Sequence, residues 1–271
     1  MSCRRLFAIS IQATVLFGPW PAFAGGPISP ASDVLGVNLT MSRDQAKKVI
    51  ADYFPGPSIE EASVELSTDV FKKSTTAGFF AGAIGSDFGN ETVQVLYNPN
   101  ENATDIFGVV RQKVFPRSSR PVEKVILGSL AEKYGQATRV SGIPAHKTMI
   151  WAAPGVLEQT DRARARCDNS GGADYFYESA EKRYINEAFV GRMNLIANKN
   201  PMQDYSKCGT VLLVDLILTD DGLYVISMKQ KLIDLTKATS ELMKFSDAFW
   251  SNANAAKQAK VSKDSQIKPK L

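Results

Sequence analysis

Histidine and cysteine are scarce in this chain: 271 residues contain one histidine, His146, and three cysteines. Metal centres need several His, Cys or carboxylate ligands, and most hydrolytic nucleophiles lean on a histidine base. The shortage therefore argues against a zinc site and a histidine-dependent hydrolase, and no metal is assigned. His146 follows Pro144-Ala145, where an exposed loop is expected. Long apolar runs are also missing. The longest, Leu6 to Phe17, is broken by Gln12 and stopped by Pro19 and Pro21, whereas a membrane-spanning helix needs about 20 apolar residues.

That run has another reading. Arg4 and Arg5 precede it and Ala22-Phe23-Ala24 closes it, the charged, apolar and small-residue sequence of a secretory signal peptide. Residues 1–24 are expected to be cleaved after Ala24, leaving a periplasmic or secreted protein. Arg4-Arg5-Leu6-Phe7 also touches the twin-arginine pattern. The ordinary secretory route is preferred, because the two downstream cysteines suit folding after export.

A charge excess of one sign is likewise absent from the body of the protein. The signal holds two arginines, and residues 257–271 hold five lysines and one aspartate. Of 32 Lys and Arg and 28 Asp and Glu, 25 and 27 therefore remain in residues 25–256, a net charge of −2. This removes the usual electrostatic case for nucleic-acid binding. Cys3 leaves with the signal, so Cys167 and Cys208 are expected to pair in an oxidising compartment. Closing that loop contributes up to about 4 kcal/mol in the chain-entropy model. A reactive free thiol is the alternative.

Asp33 to Leu39 reads as a short strand. Ser42-Arg43-Asp44-Gln45 then forms a capping-box pattern ahead of Ala46, Val49, Ile50 and Tyr53 at helical spacing. Pro55-Gly56-Pro57 ends that helix. A strand is expected around Ile59 to Phe71, and two more, Val93 to Tyr97 and Ile106 to Phe115, pair antiparallel across a turn-forming Asn98-to-Asn102 run. Pro121 opens a second helix bearing Val122, Val125, Ile126, Leu130 and Tyr134, which Gly135 ends. Lys147 to Trp151 returns as a strand. The order β-α-β-β-α-β suggests a split βαβ sub-domain over residues 25–155.

Residues 156–256 are expected to hold the disulfide loop, a helix over Ala180 to Phe189, and a hairpin from Val211 to Leu218 and Leu223 to Lys229 with Asp220-Asp221-Gly222 at its turn. The first hairpin strand is apolar on both faces apart from Asp215, so it should lie centrally in a sheet covered on both sides. Asp234 caps a last helix with Leu235, Ala238, Leu242, Phe245 and Phe249 on one stripe. Residues 257–271 form a basic tail with too little to bury, expected to be disordered. The class is α+β: a mainly antiparallel sheet with helices packed on one face, in one or two sub-domains, and a flexible C-terminal tail.

Gly36-Val37-Asn38-Leu39-Thr40-Met41-Ser42, with Ala46 behind it, resembles the strand, G-x-x-x-G-M-[ST], helix opening of small exported bacterial modules. These include the outer-membrane-assembly lipoproteins and the β-lactamase-inhibitor-like domains; Thr40 stands at the second glycine. Leu130-Ala131-Glu132-Lys133-Tyr134-Gly135 resembles a helix ending of exported Gram-negative proteins. The resemblance implies binding or scaffolding rather than catalysis.

Four groups carry candidate chemistry. Tyr175, Tyr177 and Tyr184, interleaved with acids, are aromatics with polar tips of the kind found in glycan or peptide sites. Arg162, Arg164 and Arg166 alternate, so on an extended segment all three face one way and can meet phosphate or carboxylate. Asp215, alone in an apolar strand, needs a partner or a raised pKa. Gly78, Gly82, Gly85 and Gly89 form either a helical small-residue stripe open to lipid or a partner, or a glycine-broken loop; no phosphate-loop lysine follows them. No cofactor is expected. The function expected is a non-catalytic protein of the cell envelope that binds an envelope protein, a peptide or a glycan. The alternative is a hydrolase working with two carboxylates on an envelope polymer.

Overall fold

A computed structural model describes residues 28–54, 59–86, 89–100, 102–153, 156–157, 167 and 205–265. The chain is α+β, and its centre is an eight-stranded sheet in which every pairing is antiparallel. In chain order the strands of this sheet are β3 (Glu60–Ser67), β4 (Lys72–Ser86), β5 (Gly89–Tyr97), β6 (Ile106–Val114), β7 (Arg139–Ile143), β8 (His146–Trp151), β9 (Thr210–Leu218) and β10 (Val225–Asp234). Across the sheet they run β3-β4-β5-β6-β10-β9-β8-β7. A separate two-stranded hairpin, β1 (Asp33–Val34) with β2 (Val37–Asn38), precedes helix α1 (Arg43–Tyr53).

Local signals position these elements. Ser42 caps α1 by accepting from Gln45 N, while the Gln45 side chain accepts from Ser42 N, so two otherwise unsatisfied donors are matched reciprocally. Helix α2 (Glu123–Tyr134) stops at Gly135, whose φ of 76° suits a residue without Cβ. Asp234 caps α3 (Leu235–Asp264) through Lys237 N, at 2.8 Å.

Alternation along β9 builds two cores. Val211 and Leu213 join Leu235, Leu242, Phe245 and Phe249 of α3 on one face. Leu212, Val214 and Leu216 join Ala46 and Ile50 of α1 and Leu130 of α2 on the other. The sheet is thus covered on both sides at β9, as its apolar sequence requires. The helices, expected on one face, are divided between the two.

Several local expectations are corrected. The split βαβ order is not seen, because β10 and β9 stand between β6 and β8, so strands from before and after residue 155 share one antiparallel sheet. The stretch from Thr76, expected as a glycine-striped helix or a loop, lies in β4 as far as Ser86. Any Cβ at Gly78 would fall directly onto Val95 O of β5, and one at Gly82 would lie 2.8 Å from Glu91 O. Close approach of the neighbouring strand, rather than a break in the chain, accounts for these glycines.

His146 starts β8 instead of lying in a loop, because the unanticipated β7 pairs with β8 across a turn at Pro144-Ala145. Residues 257 to 264, expected as part of a disordered tail, continue α3. Burial ends at Ala253, and the following Ala, Lys and Gln residues are good helix formers without it. Among the described residues no helix is long and apolar enough to cross a membrane. The Cα atoms of Cys167 and Cys208 lie 5.5 Å apart, a separation compatible with the expected pairing. The helix expected over Ala180 to Phe189 lies outside the described residues.

Candidate functional site

Strand β6 begins apolar and carries Arg111 and Lys113 near its end, and with Phe115 just beyond it these alternate residues point to the α2 side of the sheet. Their neighbours on β10 are Gln230, opposite Arg111, and Met228, opposite Lys113. This two-by-two floor is roofed by Ile126, Ser129, Leu130, Lys133 and Tyr134 of α2, and Leu35 of the β1–β2 turn closes one side. The cleft between them, partly open to solvent, has a volume of about 300 Å³, at the lower end of the range of about 300–1,000 Å³ that small-molecule sites occupy.

The electrostatics of this cavity are one-sided. Three cations line it and no carboxylate does. Their counter-charges sit behind the wall. Arg111 Nε donates to Glu91 Oε1 at 2.6 Å, and Lys113 Nζ donates to Glu91 Oε2 at 2.8 Å. Tyr53 adds a hydroxyl to Oε1 at 3.1 Å, and Arg111 Nη1 donates to Gln230 Oε1 at 3.1 Å. Burial alone would raise the Glu91 carboxyl, but Lys113 and Arg111 together hold it below the ordinary value. One carboxylate thus serves two cations, leaving one net positive charge at the floor. At the mouth, Lys133 Nζ meets Asp33 Oδ1 at 2.8 Å, and Tyr134 OH donates to Asp33 O at 2.8 Å. Burial raises the Asp33 carboxyl, and Lys133 with the Gly36 N–H more than offsets it.

Leu35 stands out by its backbone. It and Gly36 form the two-residue turn of the β1–β2 hairpin with φ of 55° and 80°, values that favour Asn or Gly at both positions. A leucine held there costs about 1–2 kcal/mol. Its side chain faces the cavity.

The opposite face carries a polar row in register across four strands: Thr148 of β8, Asp215 of β9, Lys229 of β10 and Gln112 of β6. Asp215 has the partners its sequence context demanded. Thr148 Oγ1 donates to Oδ1 at 2.7 Å, His146 Nε2 lies 3.6 Å from the same oxygen, and Lys231 Nζ lies 4.0 Å from Oδ2. Lys231 is 1% exposed, and burial pushes its ammonium down to about 8. Burial also lowers Lys229, against the opposing pull of Asp215.

Tyr175, Tyr177, Tyr184, Arg162, Arg164 and Arg166 lie outside the described residues. The cavity residues were not singled out from sequence, although a signal existed: two cations two apart on an otherwise apolar strand must share one face. A second cavity, of about 530 Å³, lies at β7 and the β9–β10 turn and is lined by one carboxylate, Asp221. Neither cavity therefore presents the carboxylate pair a glycosidase needs. Among the described residues no group of three or more His, Cys, Asp and Glu could hold a metal ion. Comparison of this chain with protein-family models, curated proteins and solved structures finds no match.

Proposed function

We propose that this protein is exported and acts by binding, with a small ligand lodged between α2 and the sheet. The observation that carries the reading is the cavity itself, whose apolar walls and convergent cations have the composition of a small-molecule site. Leu35 adds support, since backbone strain persists at positions where function requires it. The resemblance of the Gly36-to-Ser42 segment to exported binding modules points the same way.

Binding is tested by titrating the full mature chain with N-phenyl-1-naphthylamine, a neutral fluorophore that brightens in apolar surroundings. The expected result is saturable enhancement with one site per chain, weakened at least tenfold by Ser129→Trp, which places an indole at the roof. No saturable signal, or one indifferent to Ser129→Trp, would contradict the reading. Export is tested by sequencing the amino terminus of the purified protein: a start at Gly25 is expected, and retention of Met1 would refute it.

A further inference from the structure

The cavity combines an apolar roof with a floor where two cations share one carboxylate. Arg111 and Lys113 both bond Glu91, and the ammonium of Lys113 has three N–H donors, of which Glu91 takes one. Lys133, by contrast, has a carboxylate of its own in Asp33. The surplus positive charge is therefore at the floor beside β6, and it is partly dry: the Arg111 and Lys113 side chains are 16% and 22% exposed, against 43% for Lys133. An anion there would make charge-assisted hydrogen bonds in a medium of lowered dielectric. Ile126, Leu130, Met228 and Leu35 line the rest of the space, and they would cover a chain of methylenes at about 25 cal/mol per Å² removed from water.

We propose that this cavity takes a small, single-headed anionic amphiphile, its head held by Lys113 and Arg111 and its chain laid against Leu35, Ile126, Leu130 and Met228. The assignment rests on the reading of the cavity as a ligand site. A volume of about 300 Å³ suits one short chain rather than a two-chain lipid. The head is defined by its negative charge, so a carboxylate and a phosphate are both admissible.

The test displaces N-phenyl-1-naphthylamine from the full mature chain with four ligands of one chain length: decanoate, decyl phosphate, decanol and decylamine. Decanoate or decyl phosphate should displace the fluorophore at a concentration at least tenfold lower than decanol or decylamine, and the better of the two identifies the head. With each variant's own fluorophore affinity measured first and the displacement corrected for it, Lys113→Met should weaken binding of that anion about tenfold, one charge-assisted contact, and should weaken decanol far less. Lys113→Arg should restore the affinity for the anion, and Lys133→Met should change it less than Lys113→Met does. Equal displacement by all four ligands, or no effect of Lys113→Met on the anions, overturns the ligand class and leaves the cavity as a site. Failure of the fluorophore to bind at all refutes the site as well.

Discussion

Arg111 Nη2 lies 2.6 Å from Glu91 Oε1, joining β6 to β5 at the cavity floor with both side chains largely withdrawn from water. With Lys113 on the other carboxylate oxygen, Glu91 bridges two cations that would otherwise repel each other and offsets one of their two charges. Removing one member of a buried ion pair costs about 3–5 kcal/mol. These cations keep some water, so Glu91→Gln is expected to destabilise the protein by about 2–3 kcal/mol at pH 7.

The same carboxylate shapes the acid limb of stability. Its folded pKa is below its ordinary value of 4.5, so the unfolded chain takes up the proton first. The contribution is complete above about pH 4.5 and is lost as pH falls through the folded value. Urea unfolding between pH 3 and 6 should show a shallower decline for Glu91→Gln than for the native chain. Parallel declines would mean that folding does not lower the Glu91 carboxyl.

Lys231 has the opposite linkage. Its ammonium is held to about 8 against an ordinary 10.5, so between those values the unfolded chain binds the proton that the folded chain has released. Stability should therefore rise from pH 8 towards pH 10, with Lys229 contributing in the same direction. Above pH 10 the raised Tyr53, Tyr97 and Tyr134 reverse the trend, because their hydroxyls stay protonated in the fold while the unfolded chain ionises. Lys231→Met should stabilise the protein at pH 7 by up to about 3 kcal/mol and flatten the rise. A loss of stability in this variant would show that the ammonium is needed charged.

Two glycines separate steric need from helix propensity. Gly78→Ala places a methyl group against the Val95 carbonyl of the adjacent strand and should cost at least about 1–3 kcal/mol. At Gly128, in the middle of α2, a Cβ would meet nothing within 4 Å, so Gly128→Ala should gain about 0.8–1 kcal/mol. Thermal melts of the two variants should move in opposite directions.

These glycines also show why parts of the fold were legible in sequence and others not. Ser42 with Gln45, Asp234, Gly135 and the Asp220-Asp221-Gly222 turn act on their own neighbours, and the caps and the turn fall where the sequence puts them, although β10 runs from Val225 to Asp234 rather than from Leu223 to Lys229. A spacing of four, as between Gly78 and Gly82, fits one face of a helix and one face of a strand equally. Only the approach of β5, which pairs Gly78 with Leu96 and Gly82 with Thr92, decides between them. The strand position of His146 is hidden in the sequence for a related reason, since Arg139 to Ile143 lacks an apolar alternation strong enough to announce an edge strand. Asp215 could be marked from its apolar context, but its partners come from β8 and β10. The cavity was the least legible feature, because its floor joins β6 to β10, more than 100 residues apart in sequence, and its wall comes from a turn at Leu35.

Leu35 gives the most direct test that this cavity is a ligand site. Leu35→Asn puts the preferred residue at the left-handed position of the turn and withdraws an apolar side chain from the cavity wall. Chemical denaturation and N-phenyl-1-naphthylamine titration are measured on the same preparation. The site reading predicts a variant at least as stable as the native chain that binds the fluorophore about five- to tenfold more weakly. A variant that is clearly less stable yet binds with unchanged affinity would mean that Leu35 serves only the core, and would contradict it.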